Sequence, residues 1–174
     1  MIRNATVEDA CALATLASQT FHLACPLGTT TDDIQFFLEQ HLSKAKFVEY
    51  ALDNDYMVKV YDNATEILGY TLLVYQQPET DVVRETLQAA RPVQLSKCYV
   101  HPNHHGSGIA GELLQASLEW GLKRGSDLMW LAVNQRNERA QRFYKKWGFS
   151  IVGEKFFQIG QATEKDYILT RDYR

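Results

Sequence analysis

Gly106-Ser107-Gly108-Ile109-Ala110-Gly111 is the stretch that decides the fold. A run of strand-type residues, Gln94 to Val100, leads into it, and an apolar-periodic segment opening on Leu113-Leu114 leads away. Strand, glycine-rich turn and helix together present backbone N–H groups to phosphate, because the first helical turn carries unpaired donors and a partial positive charge. The turn therefore predicts a phosphorylated cofactor, and the flanking sequence has to say which one.

Downstream, the helix is expected to run to about Arg124 with Ile109, Leu113, Leu114, Leu118 and Leu122 on one side, ended by Gly125-Ser126-Asp127. Leu128-Met129-Trp130-Leu131-Ala132-Val133 is a near-continuous apolar run, as expected of a strand covered on both faces. A second helix spans Asn137 to Lys146 and closes at Gly148. Strands at Phe149 to Gly153 and Asp166 to Thr170 complete a β-α-β-α-β second half.

Upstream, Met1 to Asn4 reads as a short strand, and Thr6 with Asp9 three residues on marks a helix start. That helix continues to about Phe21 or Leu23 and stops at Cys25-Pro26-Leu27-Gly28. A second opens at Thr31-Asp32-Asp33 and buries Ile34, Phe37, Leu38 and Leu42. Tyr56 to Tyr61 and Ile67 to Tyr75, joined by Asp62-Asn63-Ala64-Thr65, form a hairpin. Gln77 to Pro92 is a polar insertion with a short helix at Val82 to Ala89, serving as a lid or a long connection.

Composition narrows the function. The 174 residues, 45% hydrophobic and 22% charged, fit one ordinary globular domain over 1–174. A net charge of -3 argues against nonspecific nucleic-acid binding, which needs a basic face. No run approaches the ~18 apolar residues of a membrane span, and the first residues do not read as a signal peptide. Cys11, Cys25 and Cys98 stand at unrelated spacings, which suggests reduced thiols and a cytoplasmic location.

Two readings of the glycine turn compete. Gly106, Gly108 and Gly111 match the G-x-G-x-x-G dinucleotide fingerprint. The context argues against it. Only 63 residues follow Gly111, too few for the long βαβαβ unit, and the strand where an acidic residue is wanted ends at neutral Asn134. The second reading rests on Asn137-Glu138-Arg139-Ala140-Gln141-Arg142-Phe143-Tyr144-Lys145-Lys146-Trp147-Gly148-Phe149. With Tyr99-Val100-x-Pro102 and the turn, this block resembles the GNAT superfamily of N-acetyltransferases. The family loop, Gln/Arg-x-x-Gly-x-Gly/Ala, falls on His105-Gly106-Ser107-Gly108-Ile109-Ala110. The resemblance covers about Gln94 to Tyr173. Within it, the tail with Phe156 and Phe157 looks most like PaiA-type spermine/spermidine acetyltransferases.

The resemblance implies an α/β (mixed α+β) GNAT fold: a central twisted mixed sheet of six to seven strands flanked by about four helices. It implies acetyl-coenzyme A as co-substrate and direct transfer of acetyl to a primary amine in a ternary complex. A polyamine-like small molecule is the favoured acceptor; an amino-acid-like amine, an aminoglycoside, or a protein N-terminus or lysine stays open. So does a homodimer. In such proteins pantetheine lies along the strand before the loop, which puts Cys98, Tyr99 and Val100 on the cofactor, with the Val100 N–H polarising the thioester oxygen. His105, Gly106, Ser107, Gly108, Ile109, Ala110 and Gly111 then surround the pyrophosphate, and Asn137 both caps its helix and contacts the cofactor. Tyr144 matches the position that protonates the departing sulfur; a phenol near pKa ~10 suits a thiolate of ~8.5 or above.

Two departures stand out. His105 replaces the usual Arg or Gln, and Ser96 replaces the glutamate that serves many relatives as general base. A water chain, His22, Glu39 or Tyr70 would have to serve instead. Ser96 also keeps alive a rival of another class, a cofactor-binding sensor with little turnover. Cys98, His101, His104 and His105 crowd together but match no zinc spacing, so no metal is expected. Phe21 to Pro26 falls where such proteins build the acceptor pocket, and Cys25 has no neighbour that would activate it.

Overall fold

The computed structural model describes residues 1–173. Seven strands form a single sheet in the order β1-β2-β3-β4-β5-β7-β6 among the described residues. They are β1 (Ile2–Asn4), β2 (Tyr56–Asp62), β3 (Ile67–Val74), β4 (Pro92–Val100), β5 (Leu128–Asn134), β6 (Ser150–Ile159) and β7 (Ala162–Asp172). Every neighbouring pair is antiparallel except β4 with β5. The helices are α1 (Ala10–Ala24), α2 (Thr31–His41), α3 (Lys44–Leu52), α4 (Asp81–Leu87), α5 (Ile109–Lys123) and α6 (Glu138–Lys146).

Two apolar layers hold the sheet. On one face α1, α2 and α3 bury Leu13, Phe21, Leu38 and Phe47 against Val58, Val60, Tyr70 and Leu72. On the other, Leu114 and Leu118 of α5 meet Leu73, Leu95, Met129 and Leu131, while Phe143 and Tyr144 of α6 and Trp147 just after it pack at the edge. Sequence sets these ends: Thr30 accepts from the Asp33 N–H at 3.1 Å, Ser43 from Lys46 N–H at 3.3 Å, and Asn137 Oδ1 from Ala140 N–H at 3.1 Å.

The helix count rises above about four: α4 falls on the short helix expected at Val82 to Ala89, and α3 was not anticipated. Helix α3 contributes only Phe47 as a fully buried residue, so its apolar stripe is thin. In α4, Val83 and Leu87 cover Leu128, Trp130 and Ile168, so the 77–92 stretch is a packed connection over the sheet. The last two strands are also longer than the sequence reading. Residues Gly153 to Lys165 continue the ladder through the Gly160-Gln161 turn, with outward residues mostly exposed along β6.

The feature that positions the site is a fork. β4 and β5 pair only at Pro92↔Leu128, Val93↔Met129 and Gln94↔Trp130. Beyond that point β4 stays with β3 and β5 stays with β7. A bulge in β4 falls between Leu95 and Lys97, with Ser96 as the extra residue. The extra residue also switches faces: Leu95 and Cys98 belong to the α5 layer, whereas Lys97 and Tyr99 turn toward α1 and α2.

Candidate active site

Two cavities meet at the fork. One, of about 310 Å³, is lined by Cys98, Tyr99, Val100, His105, Ala110, Asn137, Arg139 and Tyr144. The other, of about 230 Å³, shares Cys98, Tyr99, Asn137 and Tyr144 and extends to Ser96, Lys97, Lys155, Phe157 and Asp166. Residues from both sheet faces line the second cavity, because the separated strands leave no ladder between them.

The open edge of β4 supplies backbone groups. His101 donates its N–H to Leu68 O at 2.8 Å, toward β3. Alternation along an antiparallel strand turns the Val100 N–H and C=O the other way, into the fork. The Val100 carbonyl is taken: His105 Nε2 donates to it at 2.9 Å, and Arg139 donates to His105 Nδ1 at 3.4 Å. The ring of His105 is thereby used on both nitrogens, and the cation beside the turn is Arg139.

Glycine conformation shapes the turn. Gly106 and Gly108 have φ of 83° and 91°, a region costly for other residues, and a Cβ on either would meet nothing within 4 Å. The backbone angle, more than space inside the protein, requires glycine. No partner appears among the described residues for the N–H groups of Gly106, Gly108, Ile109 and Ala110. Four backbone donors within five residues of the turn are therefore available to a ligand. Ser107 is exposed but already engaged: its N–H and hydroxyl both donate to His104 O, at 3.3 and 2.6 Å. The Ile109 side chain lies in the core, leaving only its backbone for a ligand. Gly111 sits inside α5 against the Trp147 ring, where a Cβ would come within 3.2 Å, and its N–H donates to Gly108 O at 2.9 Å.

Tyr144 packs between Phe143 and Phe149, with ring centroids 5.2 and 5.7 Å away, and its hydroxyl faces the Cys98 thiol. Burial first, then the neighbouring Cys98 and Tyr99, raise its pKa well above the ordinary phenol range. Tyr144 consequently carries its proton at neutral pH and is a donor. Burial pushes the Cys98 thiol up to about 12 and the Cys25 thiol up to about 11, so neither is a thiolate nucleophile.

The three side chains named as alternative bases do not line either cavity. His22 is exposed on α1, and Glu39 is exposed on α2 with Gln35 donating to it at 2.8 Å. Tyr70 is 0% exposed, locked under Phe47. The charged groups that do line the second cavity are Lys97, Lys155 and Asp166, none of which was singled out from sequence. Their signal was alternation: Asp166 shares a strand face with buried Ile168, so its carboxylate points inward. Lys97 had no such signal, because the bulge at Ser96 breaks the period that would have placed it.

A parallel strand pair that splays after three residues thus opens two adjoining cavities beside the glycine turn. The comparisons identify the class. The Acetyltransferase (GNAT) family profile matches residues 26–149, and the chain belongs to that family. An uncharacterised N-acetyltransferase of Mycobacterium tuberculosis is 37% identical over 166 residues, covering 95% of this chain and 99% of the relative. Among solved structures, the PaiA N-acetyltransferase of Thermoplasma acidophilum in complex with coenzyme A superposes with a TM-score of 0.78. It is 18% identical and covers 99% of this chain and 98% of its own. A ribosomal-protein-alanine N-acetyltransferase of Brucella melitensis superposes at 0.72, 20% identical, over 99% of both chains. These structural likenesses bear on the fold alone. The protein is a GNAT-type N-acetyltransferase that uses acetyl-CoA. No helix among the described residues is long and apolar enough to cross a membrane.

Proposed function

We propose that the fork is the catalytic centre and that acetyl passes directly to a primary amine in a ternary complex. The supporting observation is the convergence on one cavity of a proton donor, Tyr144, and the outward-turned backbone of Val100. Bound acetyl-CoA supplies an activated acetyl thioester. The free amides of Gly106, Gly108, Ile109 and Ala110 hold its pyrophosphate, reinforced by the α5 dipole and the Arg139 guanidinium. Asn137 spends its Oδ1 on capping α6, which leaves its amide NH₂ for the ligand. The Val100 N–H stabilises the carbonyl oxygen as negative charge develops there. Tyr144 gives its proton to the leaving sulfur.

The acceptor amine must arrive neutral, which for an alkylamine of pKa ~10.4 costs about 4–5 kcal/mol at pH 7. A buried cavity with a carboxylate can offset that cost by desolvation and proton acceptance. The free thiols Cys11, Cys25 and Cys98 fit work in a reducing cytoplasm.

The test is thiol release from acetyl-CoA across a panel of polyamines, amino acids, aminoglycosides and peptide N-termini. Tyr144→Phe should lower kcat by roughly 10²–10³ while the fold is kept, since the ring contacts remain. The deficit should narrow as pH rises and the thiolate leaves unprotonated. An unchanged kcat in a variant whose chemical step limits turnover would remove Tyr144 from the acid role.

A further inference from the structure

The acceptor-side cavity is bordered by three charged groups, Lys97, Lys155 and Asp166, that among the described residues form no salt bridge with one another, although both lysines act on the Asp166 carboxylate through space. Among the described residues, Lys97 makes no hydrogen bond and no salt bridge; its ammonium lies 4.8 Å from the Phe37 ring centre and 5.7 Å from that of Phe21. Those two rings stack on each other at 4.4 Å. Lys155 likewise makes no salt bridge, although it sits directly across the ladder from Asp166. Asp166 is 8% exposed, accepts no side-chain hydrogen bond, and lines the same cavity. A buried charge is ordinarily held by a direct hydrogen-bonded partner, because one without it forfeits its hydration. Here the buried carboxylate of Asp166 and the half-buried Lys97 and Lys155 border a cavity instead.

We infer that this cavity takes a small primary amine that carries its own carboxylate, with Lys97 holding the carboxylate and Asp166 facing the amine. The inference rests on the fork being the catalytic centre. A ligand of that kind complements the set: its carboxylate meets Lys97, with Lys155 nearby, and its amine meets Asp166. The aromatic walls of Phe21 and Phe157 suit the carbon chain between them. A linear polyamine does not complement it, since its remaining ammonium groups would face Lys97 and Lys155 with a single carboxylate to answer them.

The ionisation states agree with these roles. Burial lowers Lys97 to about 8, which leaves it mostly cationic at neutral pH, and the aromatic rings favour the charged form. Burial raises the Asp166 carboxyl from its ordinary value, the direction that favours taking up a proton, against the opposing pull of Lys155 and Lys97. In that step the N–H bond of the ammonium breaks and an O–H bond forms on Asp166. The electron pair stays on nitrogen for attack, and the proton leaves to solvent. Asp166 thus fills the role left open by Ser96, from a different strand. The bulge at Ser96 contributes by turning Lys97 into this cavity and away from the α5 layer.

The experiment compares amines that differ only by a carboxylate: lysine with cadaverine, and ornithine with putrescine. Spermidine is added as a polycation. Thiol release gives kcat/KM for each, and calorimetric titration of the CoA-saturated protein gives binding without turnover. The carboxylated member of each pair is expected to lead by at least ten-fold in both readouts. Lys97→Met, which keeps the packing on Phe37, should collapse that ratio toward one, and Lys97→Arg should retain most of it. Equal or greater activity with cadaverine, putrescine or spermidine overturns the inference. So does a ratio that survives Lys97→Met. Absence of thiol release with every amine would instead count against the fork as the catalytic centre, while the titration would still read the charge preference of the cavity. If Lys97→Met fails to fold, Lys97→Arg and the unsubstituted protein still decide the question through the ratio.

Discussion

Replacing Gly108 by alanine isolates the backbone's part in cofactor binding. The residue has φ 91° and ψ −13°, and a Cβ there would touch nothing. The whole penalty therefore lies in the left-handed backbone, roughly 1–2 kcal/mol for an L-residue. If the turn keeps its shape, that amount leaves folding stability, lowering Tm by about 2–8 °C for a chain of this size. If the turn relaxes, the N–H groups of Gly108 and Ile109 swing away, and the same energy appears as a roughly 5–30-fold weaker Kd for CoA. Gly111→Ala is the control. Its backbone is helical, so alanine gains about 1 kcal/mol of intrinsic propensity, offset by a 3.2 Å approach to Trp147. Its CoA affinity should stay within about three-fold of the parent. Calorimetric binding and thermal unfolding of the three proteins decide the matter. A Gly108→Ala protein that both melts and binds like the parent refutes the reasoning. A Gly111→Ala protein that loses as much affinity would return the third glycine to the phosphate site.

Two further predictions concern stability. Arg3 donates to both Asp9 oxygens at 2.8 Å, and this pairing, with the Thr6 N–H, holds the Asp9 carboxyl at about 2. Because that pKa is depressed, the stabilisation is complete above the unfolded value of ~3.9 and is lost as pH falls through about 2. The pair is partly solvated, so its screened worth is about 1 kcal/mol. Urea midpoints of the parent and Asp9→Asn should differ at pH 5 and converge near pH 2, whereas a gap independent of pH would contradict the assignment. At the other end of the chain, the Tyr173 hydroxyl is buried without a partner among the described residues and presses on Gly121. Tyr173→Phe should raise stability by about 1 kcal/mol, and Gly121→Ala should lower it by about 1–3 kcal/mol, read as opposite shifts in Tm.

Local signals in the sequence carried the architecture. The turn at Gly106 to Gly111, the cap at Asn137 and the hairpin of β2 and β3 are each fixed by residues within a few positions of one another. They appear in the structure close to where the sequence puts them. The long β6–β7 hairpin and helix α3 were harder to read. Their burial is one-sided or confined to Phe47, so the periodic signal is thin. The acceptor side was legible in part: Phe21 to Pro26 is the stretch the sequence puts there, and Phe21, Ala24, Cys25 and Pro26 line the cavity, but its charged groups were hidden. Lys97 faces the cavity only because Ser96 adds a residue to β4, and Asp166 reaches it only because β7 lies beside β5. Neither fact is local. His105 shows how a local motif leaves contacts out: its place in the loop was legible, whereas the Val100 carbonyl and Arg139 that meet its ring were not.

The most direct measurement is a crystal structure of the protein with coenzyme A. The pyrophosphate should accept hydrogen bonds from the N–H groups of Gly106, Gly108 and Ala110, the pantetheine should run beside Cys98 to Val100, and the thiol should end near the Tyr144 hydroxyl. Coenzyme A seated away from the β4–β5 fork, or a thiol remote from Tyr144, would contradict the account.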